Sequence, residues 1–191
     1  MSLPELFEKT RQNLDLTEEA LAVAAPGSGT TLTFSMEDQE QEQWCWAAVA
    51  VSVSLFYDSS SGWIQCDLVN AEFNRSDCCS NGGPTVCNKP WGLDRALTRT
   101  NNLNRMAAGA ATFQDVNTEI ENGSPLGCRI GWPGGAGHFV VLHGYSASIG
   151  GSVISVEVAD PIYGPSTYAF DNFRTSYRNT GTWTHSYYTV S

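Results

Sequence analysis

The sequence predicts an α+β fold, with a helix-rich first half followed by a sheet-rich second half. Three observations carry that expectation. Residues 45–57, CWAAVAVSVSLFY, set Trp46, Val49, Ala50, Val53, Phe56 and Tyr57 at helical spacing. After Pro125, the segments LGCRIGW, HFVVLHGYSA, SVISVEVAD, STYAF and TWTHSYYTV are rich in β-branched and aromatic residues and are parted by Gly, Pro and Asn turns. The chain of 191 residues is 41% hydrophobic and 16% charged, which supplies the core of one ordinary domain and is too apolar for disorder.

In chain order, Leu6, Phe7, Leu14, Leu16, Leu21 and Val23 recur on a roughly helical beat, and Asp15 with Glu18 is spaced as a helix cap. The run APGSGTT then breaks the pattern, so residues 26–31 read as a linker. Residues 1–30 are expected to be a helical extension, either a packed helix or a pro-segment or leader, and residues 31–191 to be the main domain. TLTFSM, residues 31–36, alternates like a short strand. The helix over 45–57 has a broad apolar face and should be central and largely buried. Residues 59–90 read as loop, because SSSG, CCSNGGP and CNKP are turn signals. Short helices are expected at 91–100 and 113–122, and a helical turn at 171–177 between the last two β-segments.

Charge and hydropathy narrow the function classes. Ten Lys and Arg against twenty Asp and Glu give a net charge of -10, which would repel a polyanion and disfavours nucleic-acid binding. No apolar run reaches the ~20 residues of a membrane-spanning helix, so membrane insertion is not expected. The first residues carry acids throughout and lack the apolar centre of a secretory signal.

The stretch QEQEQWCW raises the chemical question, because a lone cysteine stands between two tryptophans where a polar run meets an apolar helix. At a helix start four N–H groups are unpaired and the dipole favours a thiolate. Cys45 is therefore the candidate nucleophile. Trp44 and Trp46 are candidate walls of a cleft, and the amide of Gln39 is a candidate oxyanion donor. Such a thiol needs a base, and the chain has three histidines. His138 opens a strand after the flexible WPGGAG. His143, five residues on, should face the other side of that strand. His185 is expected on a surface strand. If the next strand pairs as a hairpin with 138–145, Asp160 returns to the level of His138 and can orient its ring. Trp63 and Trp132 are further candidates for the cleft, though a structural role is expected of both.

The spacing Q-x5-C-W at a helix start, the later GHFVV strand and the DP after the next strand resemble the papain-like (clan CA) cysteine peptidases. WCWAAVAVSVSLFYD, CNKPWGLDRALTRT and GGAGHFVVLHGY with VADPIYGPS are similar to the bacterial avirulence-effector (AvrRpt) type. The similarity covers roughly residues 34–190. It implies a helical lobe packed on an antiparallel sheet or half-barrel, with the active site in the cleft between them. It also implies Cys45 as nucleophile, His138 as general base and then acid, Asp160 orienting His138, and Gln39 with the Cys45 N–H as oxyanion hole. The C-G-S-C-W signature of papain is absent. Gln41 and Gln43 lie close to Gln39, and only the spacing of six selects Gln39. The implied activity is hydrolysis of protein or peptide substrates through a thioester, without cofactor or metal; the sequence does not fix the oligomeric state, and a monomer is the expectation. Transglutaminase, deamidase or amidase chemistry on the same three residues, and a disulfide-stabilised binding module, are the alternatives.

Four other cysteines, Cys66, Cys78, Cys79 and Cys87, crowd the turn-rich stretch. Two disulfides are favoured, Cys78 and Cys79 each taking one of the outer pair, with connectivity open. Zinc is the competitor, disfavoured because no C-x2-C knuckle exists, and free thiols are the third alternative. Bridges imply an oxidising compartment, hence secretion or export by a non-Sec or leader-dependent route, with the cytoplasm as the alternative. Cys128 is expected to be an inert core thiol.

Overall fold

The computed structural model describes residues 29–148 and 154–191. The expected N-terminal helices over residues 3–25 lie outside the described residues. The elements are β1 (Gly29–Thr31), α1 (Cys45–Tyr57), α2 (Gln65–Phe73), α3 (Leu93–Arg99), β2 (Leu103–Ala108), α4 (Phe113–Glu121), β3 (Leu126–Gly131), β4 (Gly137–Ala147), β5 (Ile154–Asp160), β6 (Gly164–Ala169), α5 (Phe170–Ser176) and β7 (Thr182–Thr189). The fold is α+β, helices first and sheet second.

The helix α1 is buried on every side from Cys45 to Ser54. Valine costs a few tenths of a kcal/mol against alanine in a helix, whereas burying Val49, Val51 and Val53 contributes about 1.5–3 kcal/mol each, so packing wins over propensity. The two buried serines are satisfied. Ser52 Oγ donates to the Ala48 carbonyl at 2.7 Å and accepts from the Glu37 amide at 2.9 Å, and Ser54 pairs with Ser61 at 2.8 Å.

The strands run in the order β2-β7-β3-β4-β5-β6, all antiparallel, and β1 pairs with the C-terminal half of β4. Period-two alternation places the two faces of β4 in different cores. Phe139 and Val141 join Val49, Val53, Leu93, Leu97 and Tyr187 on the helical side, while Val140 and Leu142 join Ile130, Val158, Phe173 and Trp183 on the other. This double burial is why HFVVL is a continuous apolar run. Helices α4 and α5 cover the second face through Val116, Ile120, Phe170 and Phe173. The helix α4 is capped reciprocally, the Thr112 hydroxyl accepting from the Asp115 amide and the Asp115 carboxylate from the Thr112 amide.

Three expectations need correction. Residues 59–90 are not all loop, because α2 occupies Gln65–Phe73. Its start at Ile64 has no side-chain cap, and it is held by Leu68 and Val69, both fully buried, rather than by local signals. The strand expected at residues 31–36 lies earlier, at Gly29–Thr31, inside the expected linker, where Thr30 pairs with Tyr145. The strand β2 was not expected from the sequence. It is an edge strand with Arg105 and Met106 exposed, so it lacks the apolar signal of the interior strands.

The cysteine stretch forms two disulfides, Cys66–Cys79 and Cys78–Cys87. The clustered sulfurs that zinc would need are therefore spent on each other. Cys128 is fully buried in β3, and burial pushes its thiol well above the ordinary range.

Candidate active site

Cys45 is the first residue of α1. Trp44 precedes it with no side-chain cap, and the Trp44 carbonyl accepts the amides of Ala47 and Ala48. The first-turn amides of Cys45 and Trp46 are those that helix geometry leaves without an internal acceptor. The Cys45 sulfur is free, in no disulfide. It opens onto a cavity of about 450 Å³ lined also by Gln43, Pro90, Trp132, Gly137, His138 and Tyr163.

His138 is the second residue of β4 and Asp160 the last of β5. The hairpin register, Val141 opposite Ala159, brings the two to one end of the sheet. His138 Nε2 lies 2.9 Å from Asp160 Oδ1, and a carboxylate only accepts, so this nitrogen carries the proton. That leaves Nδ1 free of Asp160, and His138 lines the same cavity as Cys45. Burial pulls the His138 pKa down, but the hydrogen bonds and charges of Asp160 and Cys45 outweigh it and raise it to about 9.

Asp160 is 1% exposed and satisfied by four donors. Oδ1 accepts from His138 and from the amides of Ile162 at 2.8 Å and Tyr163 at 3.0 Å, and Oδ2 accepts the Tyr177 hydroxyl at 2.6 Å. Burial pushes the Asp160 carboxyl up, yet these donors together hold it below the ordinary carboxylate range. Tyr177 is itself pushed upward by burial and by the Asp160 charge.

Of the other sequence candidates, Gln39 and Trp132 lie beside this trio and the rest lie elsewhere. Gln39 is half-buried and lines a neighbouring cavity of about 570 Å³ with Pro161 and Ile162. Its Nε2 donates to the carbonyls of Gln41 and Glu42, both at 2.8 Å, and its Oε1 has no donor. Trp132 lies in the cleft, whereas Trp63 packs against the helical core. Trp44 and Trp46 do not wall the cleft. They are 1% and 0% exposed, and their indole N–H groups donate to the carbonyls of Cys87 and Lys89. His143 Nδ1 bonds the Leu32 carbonyl at 3.3 Å, away from the trio. His185 is half-buried on β7, an interior strand between β2 and β3, and its Nδ1 meets the Thr184 hydroxyl.

The residue that sequence reasoning missed is Tyr177. It follows α5 and is held by rings at 5.0 Å (Tyr168) and 5.5 Å (Phe173), and by paired backbone bonds with Gly181. Arg178 and Asn179 between them both have positive φ, at 45° and 79°. Gly181 is required by space, since a Cβ there would stand 2.6 Å from Ile130 Cγ2. Only the Asn-Thr-Gly turn hinted at this corner, and nothing in the sequence connected it with Asp160.

A helical lobe on an antiparallel sheet, with a helix-start cysteine facing a strand histidine, is the arrangement of the papain-like cysteine peptidases. The family model described as papain-like cysteine protease AvrRpt2 matches residues 28–178, and the chain belongs to that family of cysteine peptidases. Among solved structures, the chain is similar to a double-glycine-motif protease from an AMS/PCAT transporter, solved in complex with the leader peptide. The identity is 17%, over 85% of this chain and 95% of that one, with a TM-score of 0.45. The avirulence protein AvrPphB of Pseudomonas is 13% identical over 83% of this chain and 98% of its own, with a TM-score of 0.39. No curated protein matches.

Proposed function

We propose that the protein hydrolyses peptide bonds through a thioester acyl-enzyme on Cys45, with His138 and Asp160 completing a catalytic triad. The observation that supports this reading is one buried imidazole that is bonded through Nε2 to an acid and lines the same cavity as a free thiol. The thiolate attacks the scissile carbonyl. His138, holding the proton, delivers it to the leaving amine. It then takes a proton from water, which attacks the thioester and releases the acid. Asp160 keeps the imidazole in the tautomer that presents Nδ1 to sulfur.

The first-turn amide of Cys45 supplies one oxyanion donor. Gln39 supplies the second, and for this one of its two N–H groups must exchange a backbone carbonyl for the substrate oxygen. The substrate is a protein or peptide, and no step calls on a cofactor. The two disulfides fit work in an oxidising compartment, reached by export. Among the described residues no helix is long and apolar enough to cross a membrane.

The test is alkylation by iodoacetamide in mildly acidic buffer, with mass mapping of the labelled residue, beside turnover of a peptide panel with and without added amines. Labelling confined to Cys45, with activity lost in Cys45→Ala, is expected. Activity surviving in Cys45→Ala would overturn the reading, and amide products in place of acids would reassign the reaction to acyl transfer.

A further inference from the structure

The start of α1 has no cap of its own, so something else must hold the first turn on which Cys45 sits. Three bonds do so, and all end on one short segment. The Gln43 amide donates to Asn88 Oδ1 at 2.9 Å. The Trp44 indole donates to the Cys87 carbonyl at 3.0 Å, and the Trp46 indole to the Lys89 carbonyl at 3.2 Å. The two residues flanking Cys45 and the one before them are thus tied to residues 87–89, and Pro90 lines the cavity onto which the sulfur opens. The loop packs closely as well, since a Cβ on Gly82 would stand 2.9 Å from the Trp44 ring.

Residues 80–92 contain no helix or strand. Three turn bonds are what the segment supplies for itself, from the amides of Cys87 and Asn88 to the Pro84 carbonyl and from the Lys89 amide to the Cys87 carbonyl. The further constraint is covalent, the buried Cys78–Cys87 disulfide. The other bridge, Cys66–Cys79, ties α2 instead, and its Cys79 is exposed.

We propose that the Cys78–Cys87 disulfide and Asn88 position the reactive thiol, so that the peptidase reaches full turnover only with this bridge closed. The inference rests on the reading of Cys45 as nucleophile. Asn88 touches neither sulfur nor substrate; it acts through the Gln43 amide. Opening the bridge to two thiols takes two electrons and two protons from a dithiol, which itself closes to a disulfide. The segment then loses its covalent anchor while the bonds of α1 itself remain. Small displacements suffice, because a misplacement of about 1 Å can cost about a hundredfold in rate.

The experiment compares Asn88→Ala, Asn88→Asp, the double variant Cys78→Ser/Cys87→Ser and the double variant Cys66→Ser/Cys79→Ser. Each is measured for kcat, KM, the rate of Cys45 alkylation against pH, and Tm. Asn88→Ala and the 78/87 pair should lose about tenfold or more in kcat with KM nearly unchanged, and should alkylate more slowly. Asn88→Asp keeps an acceptor for the Gln43 amide and should restore turnover. The 66/79 pair should hold kcat within about twofold of the unaltered protein, as none of the three bonds that hold the Cys45 turn ends on its bridge or on α2. Unaltered kcat and alkylation in Asn88→Ala would overturn the proposal even if the 78/87 pair fails to fold. So would an equal loss of kcat in the 66/79 pair. If the unaltered protein itself shows no Cys45-dependent turnover, the peptidase reading fails first, and the alkylation profiles still report whether Asn88 positions the thiol.

Discussion

The Tyr177 hydroxyl donates to Asp160 Oδ2 at 2.6 Å, which leaves Oδ1 free to take His138 and two turn amides. Tyr177→Phe keeps the ring stack and removes only this donor. The buried carboxylate then has one oxygen unpaired, at a cost of about 1.5–3 kcal/mol for a bond to a charged group. Urea unfolding should show that loss of stability with an unchanged slope. A variant as stable as the parent would mean that the bond contributes nothing net.

Asp160→Asn removes the charge while keeping the shape. The His138 pKa, about 9 in the parent, should fall, since the acid is the largest of the influences that raise it. Turnover should drop by at least about tenfold, or ~1.4 kcal/mol of barrier, because a neutral amide stabilises the imidazolium less than a carboxylate does. NMR titration of the imidazole together with kcat decides the matter. An unshifted pKa would show that the ring takes its proton affinity from elsewhere.

The same titration makes stability depend on pH. A histidine at about 9 when folded and about 6.5 when unfolded binds its proton more tightly in the native state. Its contribution is therefore complete below about 6.5 and is lost as pH rises through about 9. The denaturant midpoint should decline over this alkaline window, and the decline should flatten in His138→Gln. An identical slope in both proteins would assign the effect to other groups.

Gly181→Ala puts a methyl 2.6 Å from Ile130 and 2.7 Å from the Tyr177 carbonyl. Overpacking of this kind costs about 1–3 kcal/mol. Because Gly181 pairs with Tyr177, turnover should fall along with Tm, and the Tyr177→Phe background should absorb part of that fall. Strict additivity of the two changes would argue that the turn does not act through Tyr177.

How much of this was legible in the sequence depended on whether a residue's partner was local. Cys45 could be placed at a helix start because the apolar beat begins there, and His138 and Asp160 could be brought level because a hairpin has one register. Trp44 and Trp46 were misplaced because their partners, the carbonyls of Cys87 and Lys89, lie more than forty residues away. The helix α2 was hidden by turn signals on both sides and by a start without a cap. The disulfide pairing could not be read because Cys78 and Cys79 are chemically equivalent neighbours. Tyr177 had no signal at all, since one hydroxyl reaching a carboxylate seventeen residues back leaves no pattern.

The order of the strands carries a consequence for biogenesis. The strand β7 follows every member of the trio in the chain, yet lies between β2 and β3 and, among the described residues, is the only link between β2 and the rest of the sheet. A nascent polypeptide that has already exposed the thiol, the imidazole and the carboxylate still lacks an interior strand. Pairings of such wide sequence separation form late. The sheet that carries His138 and Asp160 is therefore completed only after both residues have been made.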